Sequence, residues 1–302
     1  MSHINSKTQL LGLLGKPVQH SLSPVMHNAA IKTMGLNFCY LAFPCDSEGL
    51  SDVLTGLSAI NCRGLNVTIP YKKDIAKQCR ELSPLAQHLG AVNTLIPMEN
   101  DGWFGTNTDV EGFLAPLINS STNWTDQQAF VIGCGGSARA AVAGLQTLKL
   151  KQITILGRNQ KRLDLFLKDL KTLDGYSSQQ KTILQGCLEK DNYIPEIISA
   201  DLIINTTPIG MASESKPLDP SQDLPLGSEI WKNLSPQTTL YDLIYNPRPT
   251  PWLSLGKSQG CRCIDGLEML IQQGAASMRL WTQQKNIPIK VMREAAEKAL
   301  KP

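Results

Sequence analysis

Two serines, Ser21 and Ser23, stand two positions apart in the stretch GKPVQHSLSPVMHNAA, just before a run of residues that predicts a helix. Ser23 directly precedes Pro24, an order typical of a helix start in which serine is the N-cap and proline the first helical residue. That pattern explains Ser23 by local structure but gives Ser21 no structural role. If the segment is extended, both hydroxyls point the same way, an arrangement that suits a carboxylate or a polyol.

A second pair of polar residues lies in the predicted strand LNVTI. Leu65, Val67 and Ile69 take one face of this strand, and Asn66 and Thr68 take the other. A strand inside a parallel sheet is normally apolar on both faces. The two polar side chains therefore indicate either the lining of a cleft or the wet face of an edge strand, and the sequence leaves both interpretations open.

Three further residues carry groups that suit acid–base chemistry or hydrogen bonding in a site. Lys72 lies in the first turn of the next predicted helix, and Asn93 lies in the apolar stretch GAVNTLI. Asp109 lies in GTNTDVEG, where Thr108 and Glu111 have the spacing of a capping box and an acidic residue is favoured by the helix dipole. Taken singly, neither Asn93 nor Asp109 establishes a site.

Two adjacent glutamines near the C-terminus differ in their helical neighbours. Gln272 shares a helix face with the charged residue Glu268, which is the expected solvent side. Gln273 shares its face with Met269 and Leu280, and a primary amide among apolar neighbours needs hydrogen-bond partners. We therefore expect Gln273, rather than Gln272, to be a ligand.

A glycine-rich turn follows the apolar strand AFVI and precedes a helix. Gly133 permits the tight turn, Gly135 and Gly136 let the backbone approach a pyrophosphate, and Ala138 lets the helix pack on the strand. The N–H groups at this helix start, including that of Ser137, face the phosphates. An ordinary strand–helix turn also needs glycine, but the flanking elements favour dinucleotide binding.

The strand after this motif ends in Gly157-Arg158-Asn159-Gln160-Lys161-Arg162. An NAD-binding enzyme usually has an acidic residue at this point for the ribose 2′-hydroxyl, and this chain has none. Arg158 is the first candidate and Arg162 the second for binding a 2′-phosphate. The alternative is a solvated helix start with incidental basic residues, which the helix dipole disfavours. We therefore expect NADP as the cofactor.

The composition is that of a well-cored protein of 302 residues, with 42% hydrophobic residues, 18% charged residues and a net charge of +3. This excludes a disordered chain and gives no basis for a nucleic-acid partner. No apolar stretch predicts a leader or a membrane span, so we expect a cytoplasmic protein without a membrane partner. The eight cysteines form no C-x-x-C pair and the four histidines are scattered, so we expect buried free thiols and no metal site.

Strands and helices alternate along the chain, which predicts an α/β fold with mainly parallel sheets. A polar run, NSSTNWTDQQ, precedes the glycine motif and marks the approach to a second unit. We expect two α/β domains with a cleft between them: residues 1–108, completed by C-terminal helices in 266–302, and a Rossmann-type dinucleotide-binding domain at 109–265.

Eight motifs occur in a fixed order: SLSP, NVTIPYK, GAVNT, NTD, GCGGSARA, NTTPIGM, YDLIYNP and DGLEMLIQQ. With them the chain resembles the shikimate dehydrogenase family over nearly its whole length. The resemblance implies NADP-dependent interconversion of 3-dehydroshikimate and shikimate in aromatic amino-acid biosynthesis, by a monomer or homodimer.

The resemblance also implies residue roles. Lys72 and Asp109 would be catalytic, with Lys72 a charged hydrogen-bond donor to the developing alkoxide. The NADP contacts would be the glycine turn Gly133–Ala138, Arg158 and Arg162, with Leu243 and Gly266 near the nicotinamide. The implied substrate contacts are Ser21, Ser23, Asn66, Thr68, Asn93, Tyr245 and Gln273.

Two departures from the family pattern concern the cofactor. The usual Asn-Arg-Thr after the second Rossmann strand reads Gly157-Arg158-Asn159, and an acidic cofactor contact found in many members is replaced by Pro84. Two alternatives therefore stay open: a quinate/shikimate dehydrogenase that uses NAD, and a non-catalytic dinucleotide-binding regulator. A folate or amino-acid dehydrogenase of similar plan is disfavoured by SLSP and Gln273.

Overall fold

The computed structural model describes residues 4–99, 102–171, 182–212 and 218–301. The chain divides into two compact units, residues 1–112 with 270–302 and residues 113–269. The mixed α/β architecture with mainly parallel sheets that the alternating pattern predicts is confirmed. Among the described residues, no helix is long and apolar enough to cross a membrane.

The first unit contains a six-stranded sheet in the order β2-β1-β3-β5-β6-β4. The strands β1, β2 and β3 are parallel, whereas β5 runs antiparallel to both β3 and β6. Its elements are β1 (Gln9–Gly15), α1 (Ser23–Thr33), β2 (Phe38–Pro44), α2 (Leu50–Ala59), β3 (Gly64–Val67), α3 (Lys72–Gln78), β4 (Glu81–Leu82), α4 (Pro84–Leu89), β5 (Thr94–Pro97), β6 (Trp103–Thr106) and the start of α5 (Asp109–Ile118).

The position of β3 in the sheet excludes one of the two interpretations of its polar residues. This strand lies inside the sheet, between β1 and β5, so the edge-strand interpretation is wrong. Leu65 and Val67 are buried as predicted, but the strand ends at Val67 and Ile69 is 65% exposed. The alternation therefore stops earlier than the sequence predicts, and Thr68 lies just beyond the strand.

The second unit contains a six-stranded, all-parallel sheet in the order β12-β11-β10-β7-β8-β9. Its elements are β7 (Gln128–Ile132), α6 (Gly136–Thr147), β8 (Gln152–Gly157), α7 (Gln160–Lys171), β9 (Ile183–Leu188), α8 (Ile194–Ile198), β10 (Leu202–Asn205), a short 3₁₀ helix (Ser228–Lys232), β11 (Thr239–Asp242), α9 (Pro251–Ser258) and β12 (Arg262–Ile264).

Successive residues of the central strand β7 supply two different cores. Ala129 and Val131 face one cluster, which also contains apolar residues of α6 and α7, while Phe130 and Ile132 face a second cluster around Trp252. A strand covered on both faces reads as a continuous apolar run, which explains why AFVI has no alternation.

Two helices complete the chain, α10 (Gly266–Thr282) and α11 (Ile289–Leu300). From residue 270 onward they belong to the first unit. Trp281 of α10 packs so closely on β3 that a Cβ added to Gly64 would clash with the indole ring. The same helix brings Gln273 and Ser277 into the interior of the first unit.

Candidate active site

An ion pair between Lys72 and Asp109 lies at the starts of two helices in the first unit. Lys72 is the first residue of α3 and Asp109 the first residue of α5, so the chain direction brings both side chains to helix N-termini. The Lys72 Nζ donates to Asp109 Oδ2 at 2.6 Å. The two side chains are 21% and 9% exposed, so a small ligand can still reach the pair.

The second carboxylate oxygen of Asp109 is held by Asn93. The Nδ2 of Asn93 donates to Asp109 Oδ1 at 2.8 Å, and the backbone N–H of Asp109 donates to Asn107 Oδ1 at 3.0 Å. Asn93 and Asp109 are both buried. Because each oxygen of the carboxylate has its own donor, the carboxylate is fixed in one orientation.

The predicted capping box at Thr108 and Glu111 does not form. The backbone N–H of Thr108 donates to Asn93 Oδ1 at 2.7 Å, and the Glu111 carboxylate accepts from Arg279. The start of α5 is thus tied to Asn93, which precedes β5, rather than to its own first turn.

Gln273 lies at the same site. Its side chain is buried, as the helical pattern predicts, and that of Gln272 is only partly buried. Gln273 Nε2 donates to the Leu270 carbonyl at 2.8 Å, and its Oε1 accepts from Asn93 Nδ2 at 3.4 Å. The apolar face expected for Gln273 is wrong at one position, because Leu280 is exposed.

Asn66 is buried and makes several bonds within the first unit. Its Oδ1 accepts from the Tyr40 hydroxyl at 2.8 Å, and its Nδ2 donates to Ser277 Oγ at 2.8 Å and to the Asn93 carbonyl at 3.2 Å. Thr68 is partly buried, and its backbone N–H donates to the Leu14 carbonyl.

Ser23 is not the N-cap that the sequence predicts. The N-cap position of α1 is Leu22 and makes no side-chain cap, while Ser23 is the first helical residue. The Oγ of Ser21 accepts the Ser23 N–H at 3.2 Å, so Ser21 supplies the local support expected of Ser23. Ser23 is buried, and its hydroxyl is a hydrogen-bond partner of the Tyr40 phenol. The helix starts one residue earlier than the Ser23–Pro24 pattern predicts.

In the second unit the glycine turn has the geometry expected of it. Gly133 has a φ of +103°, and a Cβ there would lie 2.9 Å from Thr206 Oγ1. Gly135 and Gly136 have open space where a Cβ would point, and Ser137 is also exposed. Ala138 is fully buried against the sheet. The start of α6 is therefore open to an anion, while Ala138 packs in the core.

Two arginines lie near this turn. Burial raises the pKa of the Cys134 thiol, and the charges of Arg162, Arg158 and Arg139 oppose that rise. The backbone just before Arg158 lies beside the turn, because a Cβ on Gly157 would be 3.3 Å from Cys134 Sγ. The side chains of Arg158 and Arg162 are exposed. Asn159, which replaces the family's threonine, accepts the Arg162 N–H at 3.1 Å and so supports the first turn of α7.

The segment after β11 carries the remaining predicted residues. Leu243 and Tyr245 are partly buried, and burial raises the pKa of the Tyr245 phenol. A Cβ on Gly266 would clash with the Leu243 carbonyl oxygen, so this contact requires glycine. The preceding Asp242 is buried, and desolvation raises its pKa to about 6.

The cysteines and the potential metal ligands were also located. All eight cysteines are free, as predicted, but only Cys45, Cys62 and Cys261 are buried. Across residues 4–99, 102–171, 182–212 and 218–301, no three His, Cys, Asp or Glu side chains come together in a way that would hold a metal ion. His3 lies outside the described residues.

Four residues of this site were missed in the sequence: Tyr40, Thr94, the hydroxyl of Thr108, and Ser277. Each is buried and bonded to Asn66 or Asn93. Only Ser277 could have been predicted from the sequence, because it follows Gln273 by one helical turn and therefore lies on the same helix face.

The comparisons with known proteins agree with these motifs. A family model described as the shikimate dehydrogenase substrate binding domain matches residues 13–95, and one described as the shikimate 5′-dehydrogenase C-terminal domain matches residues 266–297. The chain is 44% identical over 302 residues to the shikimate dehydrogenase (NADP(+)) of Prochlorococcus marinus strain MIT 9515, covering 98% of this chain and 100% of that protein.

Solved structures are also similar over nearly the full length. The shikimate 5-dehydrogenase from Thermus thermophilus, in complex with NADP(H) and shikimate, has a TM-score of 0.80 and 30% identity, covering 97% of this chain and 100% of that chain. The quinate dehydrogenase from Corynebacterium glutamicum, in complex with NAD, has a TM-score of 0.83 and 25% identity, covering 96% of this chain and 99% of that chain.

Proposed function

Because the chain belongs to the shikimate dehydrogenase family, we propose that Lys72 and Asp109 catalyse its reaction and that the other predicted residues bind its two ligands. The chain is an oxidoreductase that catalyses the reversible, NADP-dependent reduction of 3-dehydroshikimate to shikimate, in aromatic amino-acid biosynthesis. The observation that carries the assignment of roles is the Lys72–Asp109 ion pair with Asn93 on its second oxygen.

Reduction of the substrate carbonyl is favoured by a cation next to the carbonyl oxygen. NADP, when bound, supplies or accepts the hydride. As the carbonyl is reduced, negative charge builds on its oxygen; Lys72 donates a hydrogen bond to that oxygen and then a proton. Asp109 holds the ammonium group in place for this task. In alcohol oxidation, Lys72 first releases its proton to solvent and then accepts the proton of the substrate hydroxyl as a neutral amine.

The remaining polar groups of the first unit fit a small polyhydroxy acid. We assign the substrate carboxylate to the hydroxyls of Ser21 and Ser23, since neutral donors can hold a carboxylate through charge-assisted bonds. The Ser21 hydroxyl accepts the Ser23 N–H, so its own proton is available to a ligand. The ring hydroxyls would contact Asn66, Thr68, Asn93 and Gln273. Tyr245, a residue of the second unit, is the remaining proposed substrate contact.

The residues of the second unit fit a phosphorylated dinucleotide. The open turn at Gly133, Gly135, Gly136, Ser137 and Ala138 would receive the pyrophosphate at the N-terminus of α6. Arg158 and Arg162 would bind the 2′-phosphate, which distinguishes NADP from NAD. Leu243 and Gly266 would lie near the nicotinamide.

We also propose that the enzyme works in the cytoplasm, as a monomer or a homodimer. The eight free cysteines support a reducing compartment, since thiols of secreted proteins usually form disulfides.

A direct assay separates this function from its alternatives. The chain is incubated with shikimate or quinate and with NADP or NAD, and the absorbance of the reduced cofactor is followed. We expect turnover of shikimate with NADP to exceed the other three combinations. Preferred turnover of quinate with NAD would identify a quinate/shikimate dehydrogenase, and no turnover in any combination would identify a non-catalytic regulator.

A further inference from the structure

A network of buried hydrogen bonds leads to the carboxylate of Asp109. Two hydroxyls in it, those of Thr94 and Ser277, are not among the proposed ligand contacts. Both residues are fully buried. Ser277 Oγ lies 2.8 Å from Thr94 Oγ1, and Thr94 Oγ1 donates to Asn93 Oδ1 at 2.9 Å. Asn93 in turn donates to Asp109.

The direction of the bonds at the Asn93 amide follows from which groups can donate. The Asn93 carbonyl oxygen only accepts, so the Thr94 proton lies toward Asn93. Ser277 Oγ lies 2.8 Å from Thr94 Oγ1 and 3.1 Å from the Gln273 carbonyl oxygen, so its single proton has two acceptors within reach. Ser277 also accepts from Asn66 Nδ2. Ser277 therefore contacts Asn66, Thr94 and Gln273, and Thr94 links it to Asn93.

The end of this hydrogen-bond network that lies farthest from Asp109 is held by an aromatic stack. Tyr40 donates its hydroxyl to Asn66 Oδ1, and its ring stacks on His27 with centroids 4.1 Å apart. Burial raises the pKa of the Tyr40 phenol well above its ordinary value of 10, so this group stays a donor. Burial also lowers the pKa of His27 to about 4, so the stacked imidazole is neutral.

We propose that Thr94 and Ser277 are positioning residues, whose hydroxyls fix the Asn93 amide and thereby hold the Asp109 carboxylate toward Lys72. Asn93 Oδ1 accepts the backbone N–H of Thr108 at 2.7 Å and the Thr94 hydroxyl at 2.9 Å, and the Thr108 hydroxyl lies further away at 3.2 Å. Water cannot replace a lost hydroxyl here, because both residues are fully buried, so its partners would stay unpaired. The proposal rests on the proposed catalytic roles of Lys72 and Asp109.

The decisive variant is Thr94→Val, which keeps the side-chain shape and removes the hydroxyl. We expect kcat for shikimate oxidation to fall roughly tenfold to a hundredfold, since a small misplacement of catalytic groups has effects of this size. The KM for NADP is expected to stay within about twofold, and Thr94→Ser to recover kcat to within about threefold. Ser277→Ala, one bond further from Asp109, is expected to have a smaller effect in the same direction.

Two controls separate positioning from a general loss of stability. Thr154→Val removes a similarly buried hydroxyl in β8, where it accepts from Gln185, and should leave kcat within about twofold of the original chain. In a Lys72→Ala background, adding Thr94→Val should change kcat by less than about twofold. The Thr94 hydroxyl acts through the Lys72–Asp109 ion pair, which is already lost in that background.

Several results would reject the proposal. A folded Thr94→Val with kcat within about twofold of the original chain would do so, as would a full further loss in the Lys72→Ala background. If circular dichroism shows that Thr94→Val does not fold, Ser277→Ala and Tyr40→Phe decide in the same way. An original chain without NADP-dependent shikimate turnover would instead reject the proposed function.

Discussion

The two units present their proposed functional residues in opposite ways. In the first unit, Asn93 and Asp109 are 2% and 7% exposed and bonded to other side chains. In the second unit, the glycine turn is open and the side chains of Arg158 and Arg162 are exposed. One group of residues is held by the protein itself, whereas the other is accessible to a ligand.

The chemistry of the two ligands explains this contrast. A catalytic pair must be in its reactive geometry before the substrate arrives, because preorganised charges need no rearrangement during the reaction. Cofactor phosphates carry strong charge and many acceptor oxygens, so backbone N–H groups and exposed cations bind them without a buried network. Substitutions in the first unit should therefore act on kcat or on substrate binding, and those at the glycine turn on cofactor binding.

The largest effect is expected from Lys72→Ala. Removing the group that donates to the developing alkoxide should lower kcat by roughly a thousandfold, with little change in the KM for shikimate. Lys77→Ala is the matched control, since Lys77 lies on the same helix in an exposed pair with Asp74. Steady-state kinetics measures both, and an increase in KM with unchanged kcat would show that Lys72 only anchors the substrate.

Asp242 is an exception to this contrast, because it is a buried, hydrogen-bonded residue of the second unit. Its carboxylate accepts from Thr250 Oγ1 at 2.8 Å and Asn205 Nδ2 at 3.0 Å, yet desolvation raises its pKa from 3.8 to about 6. Between these two values the folded chain binds more protons than the unfolded chain, so stability falls as the pH rises from about 4 to about 6.

This titration predicts a pH-dependent difference between the original chain and Asp242→Asn. The original chain should lose about 3 kcal/mol relative to the variant on going from pH 4 to pH 7, since each pKa unit corresponds to about 1.4 kcal/mol. Urea unfolding at several pH values measures it, with the exposed Asp191→Asn as control. A difference that is constant with pH would contradict the raised pKa.

The sequence predicted local structure well and long-range partners poorly. The glycine turn, Lys72 at a helix start and the inward-facing Gln273 were all readable, because each depends on neighbours within one turn or strand. Thr94 and Ser277 were not, since the hydroxyl of Ser277 meets Asn66, 211 residues earlier in the chain. Which hydroxyl is structural and which is functional depends on such contacts.

Two predicted helix caps are also misplaced, one by a local contact and one by distant partners. The Ser23–Pro24 pattern predicts an N-cap one residue too late, because Ser21 Oγ takes the Ser23 N–H instead. The spacing of Thr108 and Glu111 fits a capping box, but Asn93 competes for the Thr108 N–H and Arg279 for Glu111. At the start of α5, partners distant in the chain therefore replace the local ones.

A medium effect is expected from Ser21→Ala. Losing one bond to the substrate carboxylate should raise the KM for shikimate about ten- to a hundredfold, corresponding to roughly 1.5–3 kcal/mol. The KM for NADP should not change, and Ser51→Ala on the exposed side of α2 is a control for a surface serine. An equal rise in both KM values would place Ser21 outside the carboxylate site.

The smallest effect is expected from Arg158→Ala. This exposed cation is partly screened by salt, so the KM for NADP should rise about tenfold while the KM for NAD stays unchanged. Lys168→Ala, on an exposed position of α7, should change neither value. Equal changes for both cofactors would mean that Arg158 does not contact the 2′-phosphate.

The most direct test of the pre-built substrate site is a crystal structure of the chain with shikimate and no cofactor. We expect a ring hydroxyl within hydrogen-bonding distance of Lys72 Nζ and the carboxylate beside Ser21, with the Asn93–Asp109 bond unchanged. Shikimate bound elsewhere, or an Asn93 amide turned so that its oxygen faces Asp109, would contradict the account.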